Sequence, residues 1–503
     1  MSAPSLRRGW CPGARRPMET GDGLLVRVHP PRGILSAAQA RALADAAEAC
    51  GNGLLDVTAR GNLQIRGVSE ATHPAVLERL SATGLLEGEA EGPYRLTLVS
   101  PLAGIDPAEA FDAAALAAEI EELVGNAASG LPAKFHVAVD GGGALPLEPG
   151  ADVWIAPAEG GVAIGLAEGD GYAWVAPVPL AEAANRVARA VEGFIRHRGD
   201  ARRMRNTPPE AAEAIATATA RTPSSSFPVG EGGSAKPRRM GRAGRAFGEA
   251  EIDGRDGLPP GLPLRGKRRF APRPIRHAAY GGAPSSPTGK ENVSVGPPVP
   301  STRLRGEAEH AFGLDRAAGF IAKGALLLAL PFGRATAKQL RAAAGWSVAH
   351  GAGELRLSFT RGVLIPHLTP AAADSIIAEA RALGFVTDPA DPRLALVACP
   401  GAPACGRAHS AAPQDALALA EAVRPLADAG ARIHVSACPK GCAHPRTADL
   451  TLVGRADGRY DVIPGGTAGE APVAALPLPT IAAILRRTSD PRGLAAAFGD
   501  HET

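Results

Sequence analysis

The stretch PRGILSAAQARA, residues 31–42, has a near twin three hundred positions on in PFGRATAKQLRAA, residues 331–343. Pro31/Pro331, Gly33/Gly333, Ser36/Thr336, Gln39/Gln339 and Arg41/Arg341 coincide. Each copy carries a hydroxyl residue followed three positions later by Gln, the capping-box signature of a helix N-terminus. In the first copy an apolar stripe (Leu43, Ala44, Ala47) follows and runs to a stop at Gly51, so a helix is predicted there. An alternating, strand-like segment comes next: LLDVTARGNLQIRGV from Leu54 and ELRLSFTRGVLIPHL from Glu354, aligned by pairing Arg60–Gly61 with Arg361–Gly362.

The likeness continues downstream. PYRLTLVSP from Pro93 matches PRLALVACP from Pro392, and AKFHVAVD from Ala133 matches ARIHVSAC from Ala431. Collinear matches of this number argue for an internal duplication, each copy holding a smaller α+β unit and then a larger one. The expected boundaries are 18–88 and 89–200 for copy one, and 310–388 and 389–490 for copy two. Between them, 201–302 is rich in Arg, Pro, Gly and Ser without sustained apolar periodicity, and reads as a disordered linker.

The chain has 503 residues, enough for several cores, with 45% apolar and 21% charged residues. Its net charge of +3 is too small to argue for nucleic acid or an anionic membrane as main partner. The apolar run 325–330 is far short of the ~20 residues that cross a bilayer. The N-terminal MSAPSLRRGWCPGARRPM lacks the apolar core of a signal peptide. A cytoplasmic protein is therefore expected, in which disulfides are rare and clustered cysteines point to metal or redox chemistry.

Four of six cysteines fall in two short stretches, ACPGAPACGRAH from Ala398 and SACPKGCAHP from Ser436, each following a strand-like segment. Four thiolates so placed suit zinc or an iron–sulfur cluster. The absence of paired Cys-x-x-Cys knuckles, and the Pro and Gly after the cysteines that free backbone N–H groups to face sulfide, favour the cluster. Only copy two carries these thiols. Of the remaining pair, Cys50 reads as a small core residue before its helix stop, and Cys11 lies on an N-terminal arm that could reach the active site.

The spacing Cys399-x5-Cys405, then Cys438-x3-Cys442, resembles the 4Fe–4S signature of the sirohaem sulfite and nitrite reductase superfamily. The duplicated small-plus-large organisation resembles it too. Within that superfamily RGWCPGARRPM, DGLLVRV, TARGNLQIRGV, LVSPLAGID and ALPFGR look most like the precorrin-3B synthase family of aerobic cobalamin biosynthesis. The resemblance implies an α+β fold of duplicated nitrite/sulfite reductase-like architecture, with two ferredoxin-like half-domains and two larger α+β domains. It implies a 4Fe–4S cluster on Cys399, Cys405, Cys438 and Cys442, and a mononuclear non-haem iron besides.

It further implies a tetrapyrrole monooxygenase that takes precorrin-3A and dioxygen, hydroxylates ring carbon 20 and closes a γ-lactone, with electrons from a separate reductase. No Gly-x-Gly-x-x-Gly unit opens a helix to bind a dinucleotide. Arg60 and Arg95 match superfamily arginines, and Lys134 stands at the first of two lysines that face the small anion in the reductases. His136 replaces the second, exchanging an anion clamp for a group that handles protons or iron. Arg60, Arg95, Lys134 and Arg66 are the expected cations for a polycarboxylate substrate, and His136 and Lys134 the expected catalytic groups. His434 is the repeat mate of His136. The alternatives are a true sirohaem reductase and a non-enzymatic electron-transfer protein.

Overall fold

A computed structural model describes residues 11–88, 92–220, 318–321 and 324–499. Both capping boxes form. Ser36 caps α1 (Ala37–Cys50) and Thr336 caps the equivalent helix Ala337–His350, and in each the Gln side chain bonds back to the cap N–H, at 2.9 and 2.8 Å. The duplication extends to a detail invisible in the motif. Gln39 Nε2 donates to Thr83 O and Gln339 Nε2 to Leu383 O, each at 3.0 Å. Each cap thus ties its helix to the end of the next one, His73–Ala82 or Pro370–Ala382.

Among the described residues the strands make four five-stranded sheets. Two are antiparallel and belong to the half-domains. The first orders β1 (Met18–Thr20), β2 (Gly23–Val28), β5 (Leu63–Val68) and β4 (Leu54–Val57). Its fifth strand, Arg334–Thr336, comes from copy two and pairs with β4. Reciprocally, Ile34–Ser36 of copy one completes the copy-two sheet by pairing with Glu354–Leu357. The half-domains therefore exchange a strand. Leu35, Leu43 and Ile65 share one core with Leu328, Leu355 and Ile376.

Register corrects one alignment. Thr58 N–H donates to Asn62 O and Ser358 N–H to Gly362 O, while Gly61 and Arg361 hold equivalent left-handed φ values of 62° and 65°. Arg361 is the counterpart of Gly61, and the residue matching Arg60 is Thr360, not Arg361.

The larger domains are mixed sheets. In copy one β6 (Thr97–Val99), β7 (Val137–Val139) and β8 (Val153–Ala158) run parallel, then Gly161–Glu168 and Gly171–Val178 antiparallel. In copy two Leu396–Ala398, Ile433–Ser436 and Ala448–Gly454 are the parallel strands. Each has its own core, around Phe135, Ile155 and Phe194 in one and Ile433, Leu452 and Phe498 in the other.

Residues 201–220, expected to belong to the linker, are instead packed on copy one. Arg203 clamps the fully buried Asp152 carboxylate through Nε, Met204 N–H donates to it at 2.8 Å, and the helix Pro209–Ala220 buries Ile215 in the copy-one core. A few well-placed apolar residues suffice to dock a helix whose flanks look polar. The remainder of 201–302 lies outside the described residues. Among the described residues no helix is long and apolar enough to cross a membrane.

Candidate functional site

Parallel pairing of the strands Leu396–Ala398 and Ile433–Ser436 brings the two cysteine loops out at one sheet edge, since both leave the same ends of adjacent strands. Cys399 is buried and its Sγ accepts the Ala437 N–H at 3.2 Å; Cys405 and Cys438 are half-buried and Cys442 is exposed. Burial pushes the Cys399 thiol pKa up, the Ala437 and Gly401 amides pull it down, and the neighbouring Cys438 and Cys405 push it up again. Burial likewise raises Cys442, which Lys440 opposes and the other three cysteines reinforce. Among the described residues no three His, Cys, Asp or Glu side chains converge as closely as a single ion requires. Four cysteines on two loops that leave neighbouring strands are a donor set of the kind a 4Fe–4S cluster takes. The mononuclear iron implied by the family resemblance has no ready-made ligand set among the described residues.

Both cysteine loops are gripped from the half-domains. Arg66 was expected to meet substrate. Instead it is 1% exposed, paired with Asp22 at 2.6 and 3.1 Å, and donates to Ala404 O beside Cys405 at 2.8 Å. Alternation puts Ile65 in the half-domain core and Arg66 on the opposite face, 3.7 Å from Asp56, and that face is covered by Asp22 and the cysteine loop at Ala404. A β-bulge follows, in which Val26 pairs with Ile65 and Leu24 with Val68; Gly67, at φ +69°, accommodates the extra residue and returns Val68 to the core. The same loop presses on the turn after β1, where a Cβ on Gly21 would stand 2.3 Å from Pro403 O. In copy two, Arg361 donates to Ala443 O, beside Cys442, at 2.8 Å. Neither anchor was legible as such from spacing.

A small, partly open cleft of about 50 Å³ lies in copy one. Arg60, Arg95 and His136 line it, together with Cys11, Arg27, His29 and Tyr94. Lys134 does not: its side chain is exposed, and only its backbone carbonyl serves the site. The four cysteines are not in the lining. The link across copies is instead the turn carrying Arg60, packed so that a Cβ on Gly61 would come 2.7 Å from Leu357 O.

Electrostatically the cleft is crowded with cations. Burial, with Arg60 and Arg32 nearby and Glu121 opposing, brings Arg95 down to about 10. Its guanidinium spends donors on Thr97 O, Arg60 O and Gly61 O at 3.0, 2.8 and 3.1 Å, so it fixes the turn that presents Arg60. Burial lowers Arg60 and Arg27 as well. Burial and then Arg27 and Arg95 lower His29 to about 3, and its ring stacks on Tyr94 with centroids 4.7 Å apart. His136 is driven well below its ordinary range by burial, Arg60 and Arg203. Its Nδ1 faces Lys134 O at 3.3 Å. A carbonyl cannot donate, so the neutral ring carries its proton on Nδ1 and keeps a lone pair on Nε2. Asp152 accepts the His136 backbone N–H at 3.1 Å and is itself neutralised by Arg203. Arg27 and His29, two apart along β2 and its continuation, share one face of the strand, a spacing that was available in the sequence but passed over; Tyr94 comes from a separate loop.

The fold and these paired sites define a duplicated redox-protein architecture. Residues 16–83 and 324–383 match the model of the nitrite/sulfite reductase ferredoxin-like half domain. A precorrin-3B synthase of Sinorhizobium is 30% identical, over 93% of this chain and 85% of its own length. A ferredoxin–nitrite reductase of Synechococcus elongatus is 27% identical, over 90% of this chain and 82% of its own. The NirA protein of Mycobacterium tuberculosis shares the fold, with a TM-score of 0.58 at 21% identity, covering 93% of this chain and 81% of that one. The chain belongs to the nitrite/sulfite reductase superfamily, on the branch that carries precorrin-3B synthase, and is an oxidoreductase.

Proposed function

We propose that this protein is a precorrin-3B synthase: an oxygen-dependent monooxygenase that hydroxylates precorrin-3A at ring carbon 20 and forms a γ-lactone from an acetate side chain, the second oxygen atom leaving as water. The observation that carries the reading is a cleft combining three half-buried arginines with a neutral His136. Its likeness over the full length to a precorrin-3B synthase supports it. Cys399, Cys405, Cys438 and Cys442 hold a 4Fe–4S cluster, which when bound supplies electrons singly. A separate reductase delivers them.

Arg60 and Arg27 meet substrate carboxylates, and desolvation strengthens such charge-assisted bonds. Arg95 contributes mainly by holding the Arg60 turn. His136, with a lone pair on Nε2 and its ring fixed through Lys134 O, takes up and returns a proton during hydroxylation. Anchoring several carboxylates at once orients one ring carbon for attack, which is where positioning lowers a barrier. The test is anaerobic titration with precorrin-3A, then admission of oxygen together with an electron donor (a chemically reduced ferredoxin) and mass analysis of the product. Binding without a hydroxylated lactone would refute the activity.

A sirohaem-dependent nitrite or sulfite reductase is the second reading, favoured by the nitrite reductase likeness. His136 in place of an anion-binding lysine counts against it. The visible spectrum of the purified protein decides: sirohaem gives an intense Soret band, a cluster alone a broad shoulder. A non-enzymatic electron carrier, the third, would bind no tetrapyrrole.

A further inference from the structure

His434 is fully buried, and neither of its ring nitrogens finds a hydrogen-bond partner among the described residues. A neutral imidazole has one N–H to donate and one lone pair to fill, and burying both unpaired is unfavourable enough that native proteins avoid it. The ring's surroundings show where a partner would lie. The site of a Cβ on Gly441 is 3.7 Å from His434 Cε1. Cε1 is bonded to both nitrogens, so the nitrogen-bearing edge of the ring faces the loop between Cys438 and Cys442. His444 packs edge-on at a centroid distance of 5.9 Å. Burial, with His444 and Arg361 nearby, lowers the ring to about 4, so at neutral pH it carries one proton and no charge.

We infer that His434 donates its N–H to a sulfur of the cluster held by the Cys438–Cys442 loop, and so sets the cluster's reduction potential. The inference rests on the cluster assignment above. An iron–sulfur cluster is anionic and gains a further negative charge on reduction. An N–H aimed at its sulfur therefore stabilises the reduced form more than the oxidised one and raises the potential. His434 is a positioning and tuning residue here, with no claim on the iron.

The experiment uses the anaerobically purified holoprotein and reads potential in place of turnover. His434→Leu should keep its iron and sulfide content, while the ratio of reduced to oxidised cluster at a fixed poise falls about tenfold, a shift of 59 mV for one electron. His434→Gln, which restores an N–H, should recover part of that shift. Pulsed paramagnetic resonance on the reduced wild-type cluster should show a weak nitrogen coupling that changes on ¹⁵N-histidine labelling and persists in His444→Gln. Unchanged potential in a fully loaded His434→Leu overturns the inference. Should that variant fail to load, the absence of a histidine coupling in the wild type overturns it instead, as does a coupling of the strength expected for a direct iron ligand. A wild-type protein without iron and sulfide would refute the cluster reading itself, and this inference with it.

Discussion

Arg66→Leu tests the anchor beneath the first cysteine loop. The substitution keeps bulk but removes the guanidinium from Asp22 and Ala404 O. Asp56 would still be neutralised by Arg334 at 2.8 and 3.2 Å, and Ala404 O would still receive the Gly21 N–H at 3.3 Å. Asp22 is the group left stranded, its side chain only 11% exposed. Losing one partner of a buried pair costs about 3–5 kcal/mol. Asp22 retains bonds from Thr20 Oγ1 at 2.8 Å and Asn52 Nδ2 at 3.1 Å, which puts the cost at the lower end, about 3 kcal/mol. With a urea slope of about 3 kcal/mol/M, the midpoint should drop by about 1 M. The cluster should also lose iron to a chelator faster, because the loop carrying Cys399 and Cys405 has lost a tie. Arg66→Leu combined with Asp22→Asn should recover much of the loss, the stranded charge being gone. An unchanged midpoint with full iron retention in Arg66→Leu would refute the anchor. A double variant as unstable as the single would show that the charge is not the cause.

Cys399→Ala or Cys438→Ala should abolish the 4Fe–4S paramagnetic signal while Cys50→Ala, in the half-domain core, preserves it; a full signal in Cys438→Ala would count against the ligand set. Arg60→Ala should weaken precorrin-3A binding ten- to a hundredfold, for about 1.5–3 kcal/mol per charge-assisted bond, whereas exposed Lys134→Ala should change it several-fold at most; equal losses in anaerobic titration would return Lys134 to the cleft. His29 gains its proton near pH 3 when folded but near 6.5 when unfolded, so unfolding takes up a proton between those values. The stability it contributes is present above pH 6.5 and falls by about 1.4 kcal/mol per pH unit on acidification toward 3. Replacing His29 by Gln should flatten the dependence of the urea midpoint on pH in that window, and an identical slope would contradict its burial as a neutral ring.

The parts of this fold that announce themselves are those with fixed local spacing. Ser36–Gln39 and Thr336–Gln339 specify helix starts by a four-residue rule, and both form. The cysteine spacing points to one metal cluster because a cluster takes four thiolate ligands and two short loops supply four. Arg66 was misread for a physical reason: alternation sends it to the face away from the half-domain core with Gln64, and what covers that face is the loop at Ala404, 338 positions downstream, which local pattern does not register. Arg60 aligned with Arg361 for want of register, which hydrogen bonds across the turn supply and letter matching does not. Arg203 looked like linker because its worth depends on a buried carboxylate fifty-one positions upstream.

The exchanged strands set a timetable for synthesis. The edge of β4 that Arg334–Thr336 will cover leaves the ribosome with Asp56, while its partner Arg334 follows 278 residues later. At roughly 5–20 residues per second that edge waits roughly 15–55 s. Throughout the interval the nascent N-terminal half offers an unpaired row of backbone donors and acceptors to any passing strand, the circumstance in which sheets mispair between chains. Slower translation between the copies lengthens the wait, and a chaperone or a closely following second chain competes for the vacancy. The yield of active protein is therefore tied to how quickly the two copies are made in succession as well as to how stably they fold.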